Sequence, residues 1–478
     1  MSERVEVYPV TRIEGHARIT VIFEDGRPED VRFQVLEFRG FEKFLEGRPV
    51  EDAPIITPRI CGICQVAHHL ASVKACDAVF GVEPPEPAVK LRNLMHQAAN
   101  VHSHALHLYF LAAPDLVYPD EEDPAARHVF RIAEERPEVV KAAIELRKFG
   151  QKVVEKVGGR PINPVTGVPG GVSRSLSEEE RDELLAEAKE VLEIAETTVD
   201  FALELTERLE EEGLLDLGAL ETYHMGLVDG GTHELYDGTL RAVDPEGNVA
   251  VEFDPSEYVD HIAELVRPHS YLKFPYLRDV GYPDGIYRVN ALSRLNVCDG
   301  MPTERAQARL EEFEERFGLP RHEPMLYHLA RAIEILCSVE LCIELLEDDD
   351  VTSDEIREEV TVDDAADSEG VGCVEAPRGV LIHHFETDED GLIRAANLVV
   401  ATVQNNPAME EGVRRVVEEH VESPDDMDDL LLNRLEMVIR AYDPCLSCAS
   451  HAVRVGRYPI VVEAVTRDGE VLATLGPK

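Results

Sequence analysis

The 478-residue sequence contains no tryptophan, and only 6% of its positions are aromatic. That shortage by itself decides little. The shortage of basic residues decides more: 47 Lys and Arg stand against 95 Asp and Glu, a formal net charge of −48. Such a surface repels nucleic acid and anionic membrane, so neither is an expected partner. No run of eighteen uncharged apolar residues occurs, and no membrane-spanning helix is expected. The opening MSERVEVYPVTRIEGH carries charges instead of the apolar core of a secretory signal. Nine cysteines in so long a chain form no disulfide framework, and they fit a reducing, cytoplasmic setting. Export in folded form on a partner's signal is compatible with all of this.

Two Cys-x-x-Cys pairs stand out, one near each end. Cys61 and Cys64 lie in PRICGICQVAH (58–68), and Cys445 and Cys448 lie in YDPCLSCASH (442–451). Four soft thiolates suit nickel, zinc, copper(I) or an iron–sulfur cluster. One pair alone would suit dithiol redox chemistry. A histidine follows each pair closely, His68 and His451, which favours one metal site tying the chain's ends together. A structural zinc on all four thiolates is the simplest alternative.

The residues around the thiols resemble the large subunit of nickel–iron hydrogenases. The likeness runs through TRIEGH (11–16), RGFE (39–42), RICGIC, EAPRGVLIHH (375–384) and DPCLSC, in the family's order. It implies an α+β fold, mainly helical, with long helices and small peripheral antiparallel sheets. It also implies that all four cysteines ligate nickel, with Cys64 and Cys448 bridging to an iron that carries cyanide and carbon monoxide. On the same ground Glu42 and His451 are expected to hold magnesium, an ion that prefers oxygen ligands and keeps several waters. Glu14 is expected to receive the proton, through Cys448, and burial suits a Glu to such a task. Arg378 is expected over the open coordination position, Pro377 beside the iron's diatomic ligands and Asp443 as a partner of Arg378. His68, one helical turn beyond Cys64, is expected to donate to a bridging thiolate. Two positions depart from the family's usual pattern: Ser103 replaces an Asp, and Asn163-Pro164 replaces His-Pro.

Both thiol pairs are consumed by the metal, so no iron–sulfur cluster is expected in this chain. Electrons must then leave through a separate iron–sulfur small subunit. The finer likeness is to cytoplasmic methanogen hydrogenases that do not reduce deazaflavin, which work with a ferredoxin-like adaptor and heterodisulfide reductase. Deazaflavin-reducing and NAD-linked enzymes are alternatives, as is a scaffold of the kind found in respiratory complex I, which generally lacks the four thiols.

In chain order, β-rich runs at 5–10, 16–23 and 30–36 predict a small antiparallel sheet. Helices are expected over 87–112, 131–157 (bent or restarted at Pro137), 176–214 (with a break), 303–317, 325–346, 409–421 and 427–441. Residues 227–259 read as β-like, 271–287 as irregular and 392–402 as a strand. Residues 1–451 are read as one interlocked catalytic body: an N-terminal sheet region (1–57), the first Cys pair with its helices (58–215), a β-rich insertion (216–300), and helices with the Arg378 segment and second Cys pair (301–451). The last 27 residues, 452–478, read as a terminal hairpin. By the resemblance this is an extension removed after His451 by a maturation endopeptidase.

Overall fold

The computed structural model describes residues 3–450 and the backbone of two further strands, 462–465 and 471–475. The chain begins with a three-stranded antiparallel sheet: β1 (Glu3–Val7), β2 (Ala17–Glu24) and β3 (Arg27–Val35). Asp25 and Gly26 both take positive φ in the two-residue turn between β2 and β3, the backbone twist a tight hairpin needs. TRIEGH fills the connection from β1 to β2.

Helices build the centre. They are α1 (Gln65–Phe80), α2 (Glu86–Leu106), α3 (Pro137–Gly158) and α4 (Glu178–Glu211), followed later by α5 (Ala291–Val297), α6 (Tyr327–Glu347), α7 (Ala401–His420) and α8 (Asp429–Ala441). α2 packs on α3 and α6, and α6 packs on α4. Their shared face is fully buried leucine, alanine and valine, as at Leu91, Leu94, Ala98 and Val101 of α2. α1 has little amphipathic bias because nearly all of it is buried.

Between α4 and α5 lie the β-like residues, chiefly β4 (Tyr223–Asp229), β5 (Thr239–Val243) and β6 (Val249–Phe253). Between α6 and α7 a second antiparallel sheet, β7 (Glu369–Ala376), β8 (Gly379–Thr387) and β9 (Ile393–Val399), leans on α1. Gly372 of β7 permits this contact, since a Cβ there would fall 2.2 Å from the carbonyl oxygen of Ala71. Pro377 and Arg378 form the two-residue tip of the β7–β8 hairpin, closed by the pair Ala376 and Gly379.

Several boundaries differ from the sequence reading. α4 is one unbroken helix of 34 residues. It contains no Pro or Gly, and a reciprocal capping box between Ser177 and Glu180 starts it. α7 begins at Ala401, where a strand was expected, and runs through Pro407. Tertiary bonds offset the proline's missing N–H: Gln404 donates to Val380 O, Asn405 accepts from Val289 N–H, and Asn406 donates to Lys273 O. The expected irregular segment contains a strand, Lys273–Leu277, paired with Ile262–Val266. The helix expected to end at residue 112 widens into a π-type turn over His107–Ala112, a feature often found beside functional sites. Pro137 restarts a helix after Val129–Glu135, as expected. In the tail, Val462–Val465 and Val471–Leu475 pair as antiparallel strands.

Candidate metal centre

The chain's two ends meet at four sulfurs. Cys61 follows a 3-10 turn (Thr57–Ile60), and Cys64 sits at the N-cap of α1. Cys445 precedes the short helix Leu446–Ala449, which contains Cys448. Sγ of Cys61 lies 3.0 Å from Sγ of Cys445, and Sγ of Cys64 lies 3.1 Å from that of Cys448. All four ligand atoms lie within 4.8 Å of one another, and none of the four residues is more than 5% exposed.

Local bonds hold this arrangement. Arg39 of RGFE ties both pairs together: its backbone N–H donates to Ser450 O at 2.8 Å, and its guanidinium donates to Ile60 O and, at 3.4 Å, to Arg59 O. Thr402, at the start of α7, accepts the Cys445 N–H at 2.9 Å. Burial pushes the Cys445 and Cys448 thiols well above their usual range, whereas hydrogen bonds from Cys445, Cys448 and Cys64 hold Cys61 well below it. So dry a set cannot carry four negative charges by itself. A soft cation reverses that balance and deprotonates its thiols on binding. The donor set therefore fits a nickel–iron centre.

Three groups surround the sulfurs. His68 places Nε2 3.3 Å from Cys448 Sγ, and its Nδ1 lies 3.0 Å from His383 Nε2. His383 Nδ1 in turn meets Ser72 Oγ at 2.8 Å, and Thr57 stands behind Ser72. If Ser72 donates to His383 and His383 to His68, the chain leaves the His68 Nε2–H for the sulfur. Arg378, 2% exposed, donates from Nε to Asp443 O at 2.7 Å and from Nη2 to Asp443 Oδ1 at 2.9 Å, with a longer contact from Nη1 to Ser103 Oγ at 3.4 Å. Burial disfavours its charge, but Asp443 and the nearby thiols outweigh burial and hold its pKa well above the usual value. Burial also lifts Asp443 to about 6, against the pull of Arg378 and Arg331. Ser103, standing where an Asp was expected, is thus an uncharged partner of Arg378.

Glu14 is the third group, and it touches a different thiol from the one expected to pass it the proton. Its Oε2 lies 3.2 Å from Cys445 Sγ and accepts the Ser447 N–H at 2.9 Å. Its backbone carbonyl accepts the Leu446 N–H. Cys445, not Cys448, is the thiol in hydrogen-bond contact with Glu14, because the TRIEGH backbone pairs with the chain at Cys445 itself.

Glu42 is buried at 3% exposure and accepts the Leu398 N–H at 2.9 Å. Its carboxylate fits a hard cation. His451 lies outside the described residues. The four α2-region histidines are not assembled into a metal site: His96 bonds to carbonyls of Leu235 and Glu375, His102 to Arg147 O, His104 to Glu334, and His107 to Arg440 O. Among the described residues the four cysteines are the one group of three or more metal-ligating side chains.

Sequence reasoning passed over His383, Ser72, Thr402 and Arg331. His383 left a trace, because it alternates with Leu381 and Phe385 on one face of an apolar strand. Arg331 did not; it lies inside α6, fully buried, donates to Ala441 O at 2.6 Å, and is drawn down to about 10 by burial.

Comparison with known proteins decides the family. The nickel-dependent hydrogenase pattern matches residues 39–158 and 230–451, and a HoxL-like pattern matches residues 4–38. The chain belongs to the nickel-dependent hydrogenases. It is a catalytic large subunit of the nickel–iron type. Within that family it is 54% identical to the vhc-type F420-non-reducing hydrogenase subunit of Methanococcus voltae, over 99% of this chain and all of that one. It is 48% identical to the corresponding F420-non-reducing hydrogenase subunit of Methanothermobacter marburgensis, over 98% of this chain and 99% of the relative. The NAD+-reducing [NiFe]-hydrogenase in its H2-reduced state superposes with a TM-score of 0.89 at 40% identity, covering 94% of this chain and 99% of that one. The Ni-Fe-Se hydrogenase of D. vulgaris Hildenborough gives 0.75 at 26% identity, covering 94% of this chain and all of that one. Membership in this family implies a small iron–sulfur partner subunit. No described helix is long and apolar enough to cross a membrane.

Proposed function

We propose that this hydrogenase subunit is of the F420-non-reducing type, working in the cytoplasm and delivering electrons through an iron–sulfur small subunit, then a ferredoxin-like adaptor, toward heterodisulfide reductase. The supporting observation is the 54% identity, end to end, with such a subunit. In this reading Cys61, Cys64, Cys445 and Cys448 would hold nickel, and Cys64 and Cys448 would also hold iron with its cyanide and carbon monoxide. When bound, the centre supplies the redox chemistry that cleaves dihydrogen heterolytically.

The chain's own residues do the rest. Arg378, fixed by Asp443, presents a permanent cation beside the thiols and polarises what binds there. Pro377 closes the apolar side of that position. Glu14 takes a proton from Cys445 across the 3.2 Å contact and passes it toward solvent, since it is itself half-buried. His68 donates to Cys448 and tempers its charge. Glu42 and His451 would hold magnesium, with the backbone carbonyl of Leu398, whose N–H donates to Glu42, a further candidate ligand.

Electrons leave across an open groove of about 560 Å³ next to RGFE. There Phe44 and Ile55 are 53% and 42% exposed among Arg39, Arg48 and Arg59. An apolar, cationic patch on so acidic a protein suits the small subunit.

Metal analysis of the purified heteromer tests the centre: about one nickel and one iron per chain is expected, with infrared bands of iron-bound carbon monoxide and cyanide. Zinc alone would defeat it. Acceptor assays separate the subtypes. Dihydrogen-driven reduction of NAD would favour an NAD-linked enzyme instead, a reading that the 0.89 TM-score to an NAD+-reducing enzyme supports.

A further inference from the structure

The segment 216–300 carried no chemical signal in the sequence, yet it ends in a charged cluster directly beneath the Arg378 turn. We infer that Arg294 of α5 is a positioning residue for the reaction, fixing the backbone from which Arg378 reaches the metal site. This rests on the reading of Arg378 given above.

Arg294 is fully buried, and its five N–H groups meet five acceptors. Nε and Nη2 pair with the two oxygens of Glu334 at 2.6 Å each. Nη1 pairs with Glu375 Oε2 at 2.8 Å. The remaining two donors go to Ala376 O at 3.2 Å and Pro377 O at 3.3 Å, the two residues immediately before Arg378. Glu334 is held in turn by His104 at 2.8 Å and His233 at 3.0 Å, and His104 adjoins Ser103 in the chain.

The same helix reaches the other partner of Arg378. Asn290, at the N-cap of α5 with φ 98°, donates to Tyr442 O at 2.8 Å, one residue before Asp443. Gly379, with φ 120°, rests against this N-terminus; a Cβ there would lie 2.3 Å from Val289 Cγ2. The Pro377–Arg378 turn and the Asp443 backbone therefore share one rigid support.

Stability alone does not call for such a support, because apolar residues of similar volume often serve a core as well as a buried ion cluster does. A planar fork with two donors left for a turn gives directional hold, which lysine cannot copy. Misplacement by about 1 Å at a reacting group costs on the order of a hundredfold in rate.

The test uses the metal-loaded heteromer carrying Arg294→Lys, Glu375→Gln, Arg378→Lys and the double variant Arg294→Lys/Arg378→Lys. Arg294→Lys is expected to keep wild-type nickel and iron and to lower dihydrogen turnover about tenfold or more. The double variant is expected to be no slower than Arg378→Lys alone, within about a factor of two. Amide hydrogen exchange read by mass spectrometry should quicken in the peptide over 374–382 and stay unchanged in the α3 peptide over 137–158, which Arg294 does not touch and which general loosening would not spare. Glu375→Gln removes one charge while its carbonyl can still accept the Leu227 N–H, and it should show the same pattern at smaller amplitude; it decides the matter if Arg294→Lys does not fold. Wild-type turnover in the folded variants, or multiplicative losses in the double variant, would overturn the role of Arg294 while leaving that of Arg378 intact. A fully active Arg378→Lys enzyme would sink both.

Discussion

Arg378 keeps its charge in a dry interior because Asp443 offers it both a carbonyl and a carboxylate oxygen, each within 2.9 Å. A buried cation with such a partner is held in one orientation. Arg378→Lys retains the charge but loses the planar fork. We expect nickel and iron content to be unchanged and dihydrogen turnover to fall about ten- to a thousandfold; steady-state kinetics on the metallated variant, with metal content measured alongside, decides it. Glu14 invites a different substitution. Gln keeps the acceptor for Ser447 N–H but cannot carry a proton. Glu14→Gln should therefore assemble normally and lose isotope exchange between deuterium gas and water, and unchanged exchange would move the proton exit away from Cys445. At this scale the sequence showed most of the actors, because thiols, a lone Arg beside Pro377 and a Glu in a tight bend are unusual enough to notice. It did not show which thiol faces Glu14, which depends on a bridge between residues far apart in the chain.

Among the elements, α2 is the clearest case of chemistry set by packing. Its histidines are neutral, His96 and His104 fully buried and His102 half-buried, each bonded to a fixed acceptor. Burial takes His96 down to about 4, against the usual 6.5. The unfolded chain therefore gains a proton at this position as pH falls through 6.5, while the folded chain does so only near 4. The stability from a neutral His96 is complete above pH 6.5 and is lost as pH drops toward 4. At pH 5 that loss comes to about 2 kcal/mol. Urea midpoints at pH 7.5 and pH 5 should thus be further apart for the natural protein than for His96→Gln, whose amide can donate to the same carbonyls without titrating. Equal spacing in the two proteins would show that His96 does not titrate on unfolding. Helix boundaries were legible where caps or breakers act locally, as at Ser177 and Pro137. They were not legible at Pro407, because the bonds that carry α7 through that proline come from β8, Val289 and Lys273.

On the scale of the whole molecule, the metal ligands arrive from positions 384 residues apart, so the site cannot close until both ends of the chain have come together. We expect the chain to be a precursor. Intact-mass measurement of nickel-bearing protein should show loss of the 27 residues after His451, and protein produced without nickel should retain them. Lys478 found on active, nickel-loaded enzyme would refute the processing. The amino-acid order by itself determined the donor set, the family and the helical character, because ligand type, motif order and apolar periodicity are written in short stretches of chain. Only the tertiary structure decided which sulfur meets Glu14, that His383 stands behind His68, and that Arg294 lies under the Arg378 turn. These are contacts between elements distant in sequence, settled by packing and by the need of each buried charge for a partner, and no local pattern encodes them.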